Sequence, residues 1–327
     1  MDKPYVFITR QIAPSAIERL KVNFTVKVWE SEDIPVPADI LREEAKKADA
    51  LLTMLSDRVD REMINQTEHL SVIANLAVGY DNIDIAAADE KGIAVCHTPD
   101  VLTDTTADLT FGLLLATARR ITEAFETVKE GNWKSWSPFL LAGTDIHHKT
   151  IGLVGMGKIG EAVARRASGL DMKILYHNRN RKPTPEYELG AVYYSFDELI
   201  SSSDFVVCLA PLTDETQGMF NAEVFKKMKN TTIFINVSRG ATTNEEDLYN
   251  ALVQGEIAGA GLDVFQKEPI QQSHPLLSLP SVVALPHIGS ASRETRTKMM
   301  NLCCGNIERV LHGERPLAIV NKGWRGQ

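Results

Sequence analysis

The sequence has little of what secreted, membrane-spanning or nucleic-acid-binding chains need. Its 327 residues hold four cysteines, Cys96, Cys208, Cys303 and Cys304, with no CxxC pair. That spacing makes neither a disulfide framework nor a cysteine metal site, and the four read as reduced, mostly buried thiols of a cytoplasmic protein. The vicinal Cys303-Cys304 reads as helix packing. No apolar run approaches the ~20 residues that span a bilayer; the nearest covers residues 111–118. The opening Met1-Asp2-Lys3-Pro4 runs straight into Tyr5-Val6-Phe7-Ile8, which is not the pattern of a signal peptide. Bases are in deficit, 35 Lys and Arg against 43 Asp and Glu for a net charge of −8. The longest basic cluster, Arg179-Asn180-Arg181-Lys182, is too short to track a duplex, so nucleic acid is not an expected partner. There is no internal repeat and no Ser or Cys in a nucleophile elbow, so covalent catalysis is not expected. His147-His148 lacks a second ligand pair and reads as a solvated loop, leaving no metal site.

What is present is an α/β pattern about two domains long. Hydrophobic residues make up 44% and charged residues 24%, ordinary globular usage. Strand-like runs at 5–9, 24–29, 50–54, 72–75 and 93–96 alternate with helical patterns at 14–21, 38–47, 60–65 and 83–91. Such alternation predicts a parallel sheet covered on both faces, because parallel strands need crossover helices. The pattern breaks at Thr98-Pro99-Asp100, and a single long helix is expected over 102–129. Residues 131–148, carrying Trp133 and Trp136, lack periodicity and look like an excursion packed against something else, a second subunit included. A second series follows, with six strands expected at 151–155, 173–177, 205–210, 232–237, 259–263 and 282–285, as a doubly wound nucleotide-binding sheet requires. A helix over 292–311 ends the pattern. Asp104 and Asp108 favour the start of the long helix and are assigned no chemistry.

Gly155-Met156-Gly157-Lys158-Ile159-Gly160 is a GxGxxG that follows a strand and opens a helix, the context in which it cradles a pyrophosphate. The anion then lies at the positive end of the helix. At the end of the next strand an NAD site places an acid for the ribose 2′-hydroxyl. This chain instead reads Asn178-Arg179-Asn180-Arg181-Lys182, which attracts a 2′-phosphate and points to NADP(H). A solvated basic turn that still accepts NAD(H) is the alternative.

Ligands in open α/β sheets bind beyond the carboxyl ends of the strands. Three consecutive strands end there in Ser238-Arg239-Gly240, in Val264 through Glu268-Pro269, and in Pro286-His287-Ile288-Gly289. Reducing a 2-oxo acid needs a hydride at C2, a proton for the oxygen and a counter-charge for the carboxylate. A His–carboxylate pair can supply the proton, since the carboxylate stabilises the imidazolium. An Arg can clamp the substrate carboxylate and polarise the carbonyl. Singly, each residue has a plain structural reading; together at the cofactor's edge they favour catalysis.

These motifs resemble the D-isomer-specific 2-hydroxyacid dehydrogenases across nearly the whole chain. Leu55-Ser56-Asp57, the run from Val101 to Ala107, Trp133-Lys134-Ser135-Trp136 and His274-Pro275-Leu276-Leu277 resemble its glyoxylate/hydroxypyruvate reductases in particular. The resemblance implies a Rossmann domain at 101–288, bearing a dimerisation arm, inserted in a flavodoxin-like substrate domain at 1–100 plus 289–327, with hinges near Pro99 and after His287. It implies Arg239, Glu268 and His287 as catalytic residues: Arg239 on the substrate, Glu268 orienting His287, and His287 as acid/base. Leu55, the backbone of Val78 and Gly79, and Trp136 reaching from a partner subunit would meet substrate; plain interface packing is the alternative for Trp136. Thr106, Gly155, Gly157, Lys158, Ile159, Gly160, Asn178, Arg179, Asn180, Arg181, Pro211, Thr216, Val237, Asp263 and Gly289 would line the cofactor. The implied activity is NADPH-preferring reduction of glyoxylate, hydroxypyruvate or 2-ketogluconate by a homodimer. The rivals are an NAD-linked dehydrogenase of phosphoglycerate or phosphite, and a nucleotide-sensing corepressor on the same scaffold.

Overall fold

In the computed structural model, residues 3–321, 323 and 324 are described. The chain forms two compact units, Met1–Leu102 with Ala291–Gln327, and Thr103–Ser290. The first runs β1 (Tyr5–Ile8), α1 (Pro14–Lys21), β2 (Thr25–Val28), α2 (Ala38–Lys47), β3 (Ala50–Thr53), α3 (Arg61–Asn65), β4 (Val72–Asn75), α4 (Ile85–Glu90) and β5 (Ala94–Cys96). The second continues with α5 (Thr103–Ala118), α6 (Ile121–Lys129), β6 (Thr150–Val154), α7 (Lys158–Ser168), β7 (Lys173–His177), α8 (Pro183–Leu189), β8 (Val192–Tyr193), α9 (Phe196–Ser202), β9 (Phe205–Cys208), α10 (Ala222–Lys227), β10 (Ile233–Asn236), α11 (Glu245–Val253), β11 (Gly259–Leu262) and β12 (Val282–Ala284). Helix α12 (Arg293–Leu311) then returns to the first unit, where it packs on β4 and α1.

The first unit holds a five-stranded sheet in the order β2-β1-β3-β4-β5, the flavodoxin-like order. Its central strands β3 and β4 are buried along their whole length, as strands covered on both faces must be. The short helices on this sheet are fixed by caps: Asp60 accepts the Met63 N–H and Asp84 accepts the Ala87 N–H. Cys303 and Cys304 lie buried on α12, as packing residues.

The second unit holds seven strands in the order β12-β11-β10-β9-β6-β7-β8, every pairing parallel. Successive residues of a strand feed opposite cores. Phe205 and Val207 face a cluster with Leu113, Leu114 and Val163, whereas Val206 and Cys208 face Phe225, Phe234 and Leu248. The seventh strand, β8, was not expected. It has two residues, too few to show a period, and is held by pairing Val192 with Leu175 and Tyr193 with Tyr176.

The single helix expected over 102–129 is two. Arg120 takes a left-handed conformation (φ 53°) between α5 and α6. The cause lies downstream: the Thr144 N–H donates to the Ala118 carbonyl at 2.8 Å, and Gly143 approaches so closely that a Cβ there would lie 2.2 Å from that oxygen. Arg120 then pairs with Glu123 through both Nε and Nη2. No glycine or proline marks the break.

Candidate active site

The glycine loop joins β6 to α7. Gly155 has φ +108°, and a Cβ there would lie 2.7 Å from the Leu209 carbonyl carbon, so only glycine fits. At Gly160 a Cβ would meet the Gly155 carbonyl oxygen at 2.3 Å, which is why helix and strand can pack so closely. A Cβ on Gly157 would instead meet nothing within 4 Å, leaving open space at the start of an 11-residue helix. Asn178 ties the loop to β7, accepting the Met156 N–H at 3.1 Å. Lys158 and Ile159 form the first turn of α7, with their amides at its positive end.

Beside the loop lies a cavity of about 470 Å³, lined among others by Gly155, Asn178, Arg179, Asn180, Pro211 and Thr216. The basic turn expected to meet a 2′-phosphate is only partly available. Arg181 is engaged by Glu186 through Nε (3.0 Å) and Nη2 (2.7 Å) and lies over the Tyr193 ring, so its charge is already answered. Arg179 and Lys182 also line the cavity, and so does Glu215, whose carboxyl is held below its usual range by the Thr213 hydroxyl, its own backbone amide and the Arg179 charge. Thr216 uses its hydroxyl to close the turn, donating to the Pro211 carbonyl and accepting the Thr213 N–H.

Arg239, Glu268 and His287 leave the ends of β10, β11 and β12 within the same unit. Each is held by a different device. Buried Asn236 holds the first loop: its Nδ2 donates to the Arg239 carbonyl, Thr242 and Thr243, and its Oδ1 accepts the Ser238 N–H. Sequence reading missed this role, although a buried Asn closing an apolar strand is its signal. Glu268 accepts the Phe265 N–H through Oε1 (3.0 Å) and meets His287 Nδ1 through Oε2 at 2.8 Å. The two side chains are 30% and 23% exposed, so the pair is partly open to solvent. Burial pushes the Glu268 carboxyl up, but the His287 contact, the Phe265 amide and the Arg239 charge outweigh it, and the net shift is downward.

His287 itself has φ +55°, a left-handed backbone that only a closely supported non-glycine residue holds. Asp263, 1% exposed, supplies the support. Its carbonyl accepts the His287 N–H (2.9 Å), and its carboxylate oxygens accept the Ile288 and Gly289 N–H groups at 2.8 Å each. Burial raises the Asp263 carboxyl above its ordinary value despite those bonds. Expected to border the cofactor, Asp263 here spends its acceptors on the His287 loop. Thr106 of α5 lies close to Gly289, where a Cβ would come within 3.4 Å of its methyl carbon. Val237 is half-buried just beyond β10.

In the first unit, Leu55, Val78 and Gly79 lie on loops after β3 and β4. Asn75 donates to the Gly79 carbonyl, His97 Nδ1 lies 2.9 Å from the Val78 carbonyl, and Asn82 bridges to the Met54 and Asp57 carbonyls. The Val78 and Gly79 amides have no acceptor among the described residues, so they can receive an anion. Trp136, in the second unit, is 78% exposed. Among the described residues no group of three or more His, Cys, Asp or Glu could hold a metal, and no helix is long and apolar enough to cross a membrane.

A parallel sheet with a glycine loop, and a His–carboxylate pair at the same strand ends, define a dinucleotide-dependent enzyme of the two-unit α/β class. Residues 111–289 match the family described as D-isomer specific 2-hydroxyacid dehydrogenase, NAD binding domain. The glyoxylate reductases of Thermococcus kodakarensis and Pyrococcus furiosus are each 48% identical over 324 residues, covering 98% of this chain and 97% and 96% of theirs. Among solved structures, an NADPH-dependent glyoxylate/hydroxypyruvate reductase of Sinorhizobium meliloti, in complex with NADP and malonate, is 32% identical with a TM-score of 0.89, covering all of this chain and 99% of that one. A protein of Thermus thermophilus is 42% identical with a TM-score of 0.91, over 97% of this chain and 99% of its own. The chain belongs to the D-isomer-specific 2-hydroxyacid dehydrogenase family and is an NAD(P)-dependent oxidoreductase. The open space at Gly157 and the adjoining cavity fit a dinucleotide pyrophosphate and its adenosine end.

Proposed function

We propose that this chain reduces small 2-oxo acids to D-2-hydroxy acids, glyoxylate and hydroxypyruvate first and 2-ketogluconate as a further substrate, with NADPH preferred. The observation that carries this reading is the 2.8 Å contact between His287 Nδ1 and Glu268 Oε2 at the cofactor's strand ends. A nicotinamide dinucleotide held at the glycine loop would supply the hydride for C2. With Nδ1 committed to Glu268, His287 has Nε2 left to give a proton to the carbonyl oxygen. Arg239 binds the substrate carboxylate and polarises the carbonyl; in the first unit the Val78 and Gly79 amides are proposed as backbone donors to substrate. Leu55 borders the substrate. The named relatives support the substrate class, and a kcat/KM panel of glyoxylate, hydroxypyruvate, pyruvate and 2-ketogluconate with each nicotinamide tests it; no turnover of any 2-oxo acid would sink the reading.

NADPH preference rests on Arg179, because Arg181 is already paired with Glu186. Glu215, lining the same cavity, favours NADH as the second reading, since a carboxylate repels a 2′-phosphate. Arg179→Ala is expected to raise KM for NADPH about tenfold or more and KM for NADH less than twofold, a charge-assisted phosphate contact being worth ~1.5–3 kcal/mol. Equal losses for both cofactors would show that Arg179 does not read the phosphate.

A cytoplasmic homodimer completes the proposal. Helix α6 buries none of its residues, and Ile121, Phe125 and Val128 are 51%, 60% and 60% exposed. Trp133, Trp136 and Phe139 are exposed as well, and these apolar side chains are what a second copy would cover. Trp136 is then proposed to reach the partner's substrate. Phe125→Asp is expected to yield monomer in sedimentation velocity at concentrations where the parent sediments as a dimer; an unchanged dimer would move the interface elsewhere.

A further inference from the structure

A second His–carboxylate pair stands behind the first. Glu245, the first residue of α11, accepts the Gln266 N–H through Oε1 at 2.6 Å, and its Oε2 lies 3.3 Å from His274 Nε2. The carboxylate is only 14% exposed, so its orientation depends on these partners. His274 opens the His274-Pro275-Leu276-Leu277 run, and its Nδ1 is buried without a partner, which leaves Nε2 as the nitrogen that faces the carboxylate. Gln266 is fixed again by its side chain, which donates to the Thr243 carbonyl at 2.6 Å. Gly240 also presses against the same backbone: a Cβ there would fall 1.8 Å from the Phe265 carbonyl carbon. The 265–266 backbone is therefore held by Glu245 and packed against Gly240. Next to the held amide is the Phe265 N–H that holds Glu268 Oε1, and Glu268 Oε2 meets His287.

We propose that Glu245 and His274 are positioning residues for the reaction: they fix the loop at Gln266, and through it the carboxylate that orients His287. This rests on the reading of His287 and Glu268 as the acid–base pair. Neither residue is placed on substrate or cofactor. Their effect travels through one backbone amide, so their loss acts only as far as Glu268 matters.

The test compares pH profiles of kcat/KM for glyoxylate with NADPH in the full-length protein. Glu245→Ala is expected to lower kcat about tenfold, with KM for NADPH within about twofold, and to move the alkaline limb in the same direction as Glu268→Gln. The double variant Glu245→Ala/Glu268→Gln is expected to be no worse than Glu268→Gln alone. His274→Gln keeps a donor at the Nε2 position and is expected to stay near the parent, whereas His274→Phe follows Glu245→Ala; these two carry the test if Glu245→Ala does not fold. Additive losses in the double variant, or a Glu245→Ala or His274→Phe profile with an unmoved alkaline limb, overturn the proposal while leaving the acid–base reading intact. An unmoved limb in Glu268→Gln itself overturns that reading, and the proposal with it.

Discussion

Replacing Glu268 with glutamine is expected to lower kcat for glyoxylate reduction about a hundredfold, within the span general acid–base catalysis contributes, and to move the alkaline limb of kcat/KM to lower pH. Glutamine keeps the length of the side chain and can still offer its one oxygen to His287 Nδ1, at the expense of the Phe265 N–H bond, so the ring keeps an acceptor while the charge is lost. Reduction needs the charged imidazole as proton donor, and the carboxylate 2.8 Å away is a counter-charge that glutamine does not supply. The shift of Glu268 itself adds a second readout. Its folded carboxyl titrates below the ordinary range, so its contribution to stability is present above the unfolded value of about 4.3 and is lost as pH falls through the folded one. The parent should therefore lose more stability at acid pH than the glutamine variant does. An alkaline limb that stays in place would remove Glu268 from the proton transfer.

Asp263→Asn is expected to destabilise the protein by ~1–3 kcal/mol and to cut kcat about a hundredfold, through the geometry of His287. A left-handed backbone costs a non-glycine residue ~1–2 kcal/mol, and the bonds to Asp263 offset that at His287. Asparagine has one carbonyl oxygen where the carboxylate has two, so either the Ile288 or the Gly289 N–H must face an NH₂ group. The opposing effect is relief of the buried charge. Since burial raises the Asp263 carboxyl, its favourable contribution is fully present below the unfolded value of about 3.9 and is lost as pH rises through the folded one. At neutral pH the two effects compete, and the unpaired donor should win because Gly289 is buried, where an unmet N–H is costly. Urea unfolding together with kcat measures both. A change within 0.5 kcal/mol at unaltered kcat, the scatter of ordinary surface substitutions, would show that the loop holds its shape without Asp263.

The alternation of apolar runs with helical patterns, and the glycine loop between a strand and a helix, are short-range properties; periodicity and turn chemistry act over a few residues. So the sequence by itself determined the two parallel sheets, the phosphate loop, and the emergence of Arg239, Glu268 and His287 from neighbouring strand ends. What only the tertiary structure decided are choices of partner across long separations. Thr144 captures the Ala118 carbonyl and ends a helix whose own sequence has no stop signal. Even over five residues the partner was not legible: Glu186 takes Arg181 out of the basic turn. Asp263 reaches the amides of Ile288 and Gly289, and Glu245 reaches Gln266. Such contacts depend on which hydrogen-bonding groups the packed sheet brings within 3 Å, and a one-dimensional pattern carries no record of that distance.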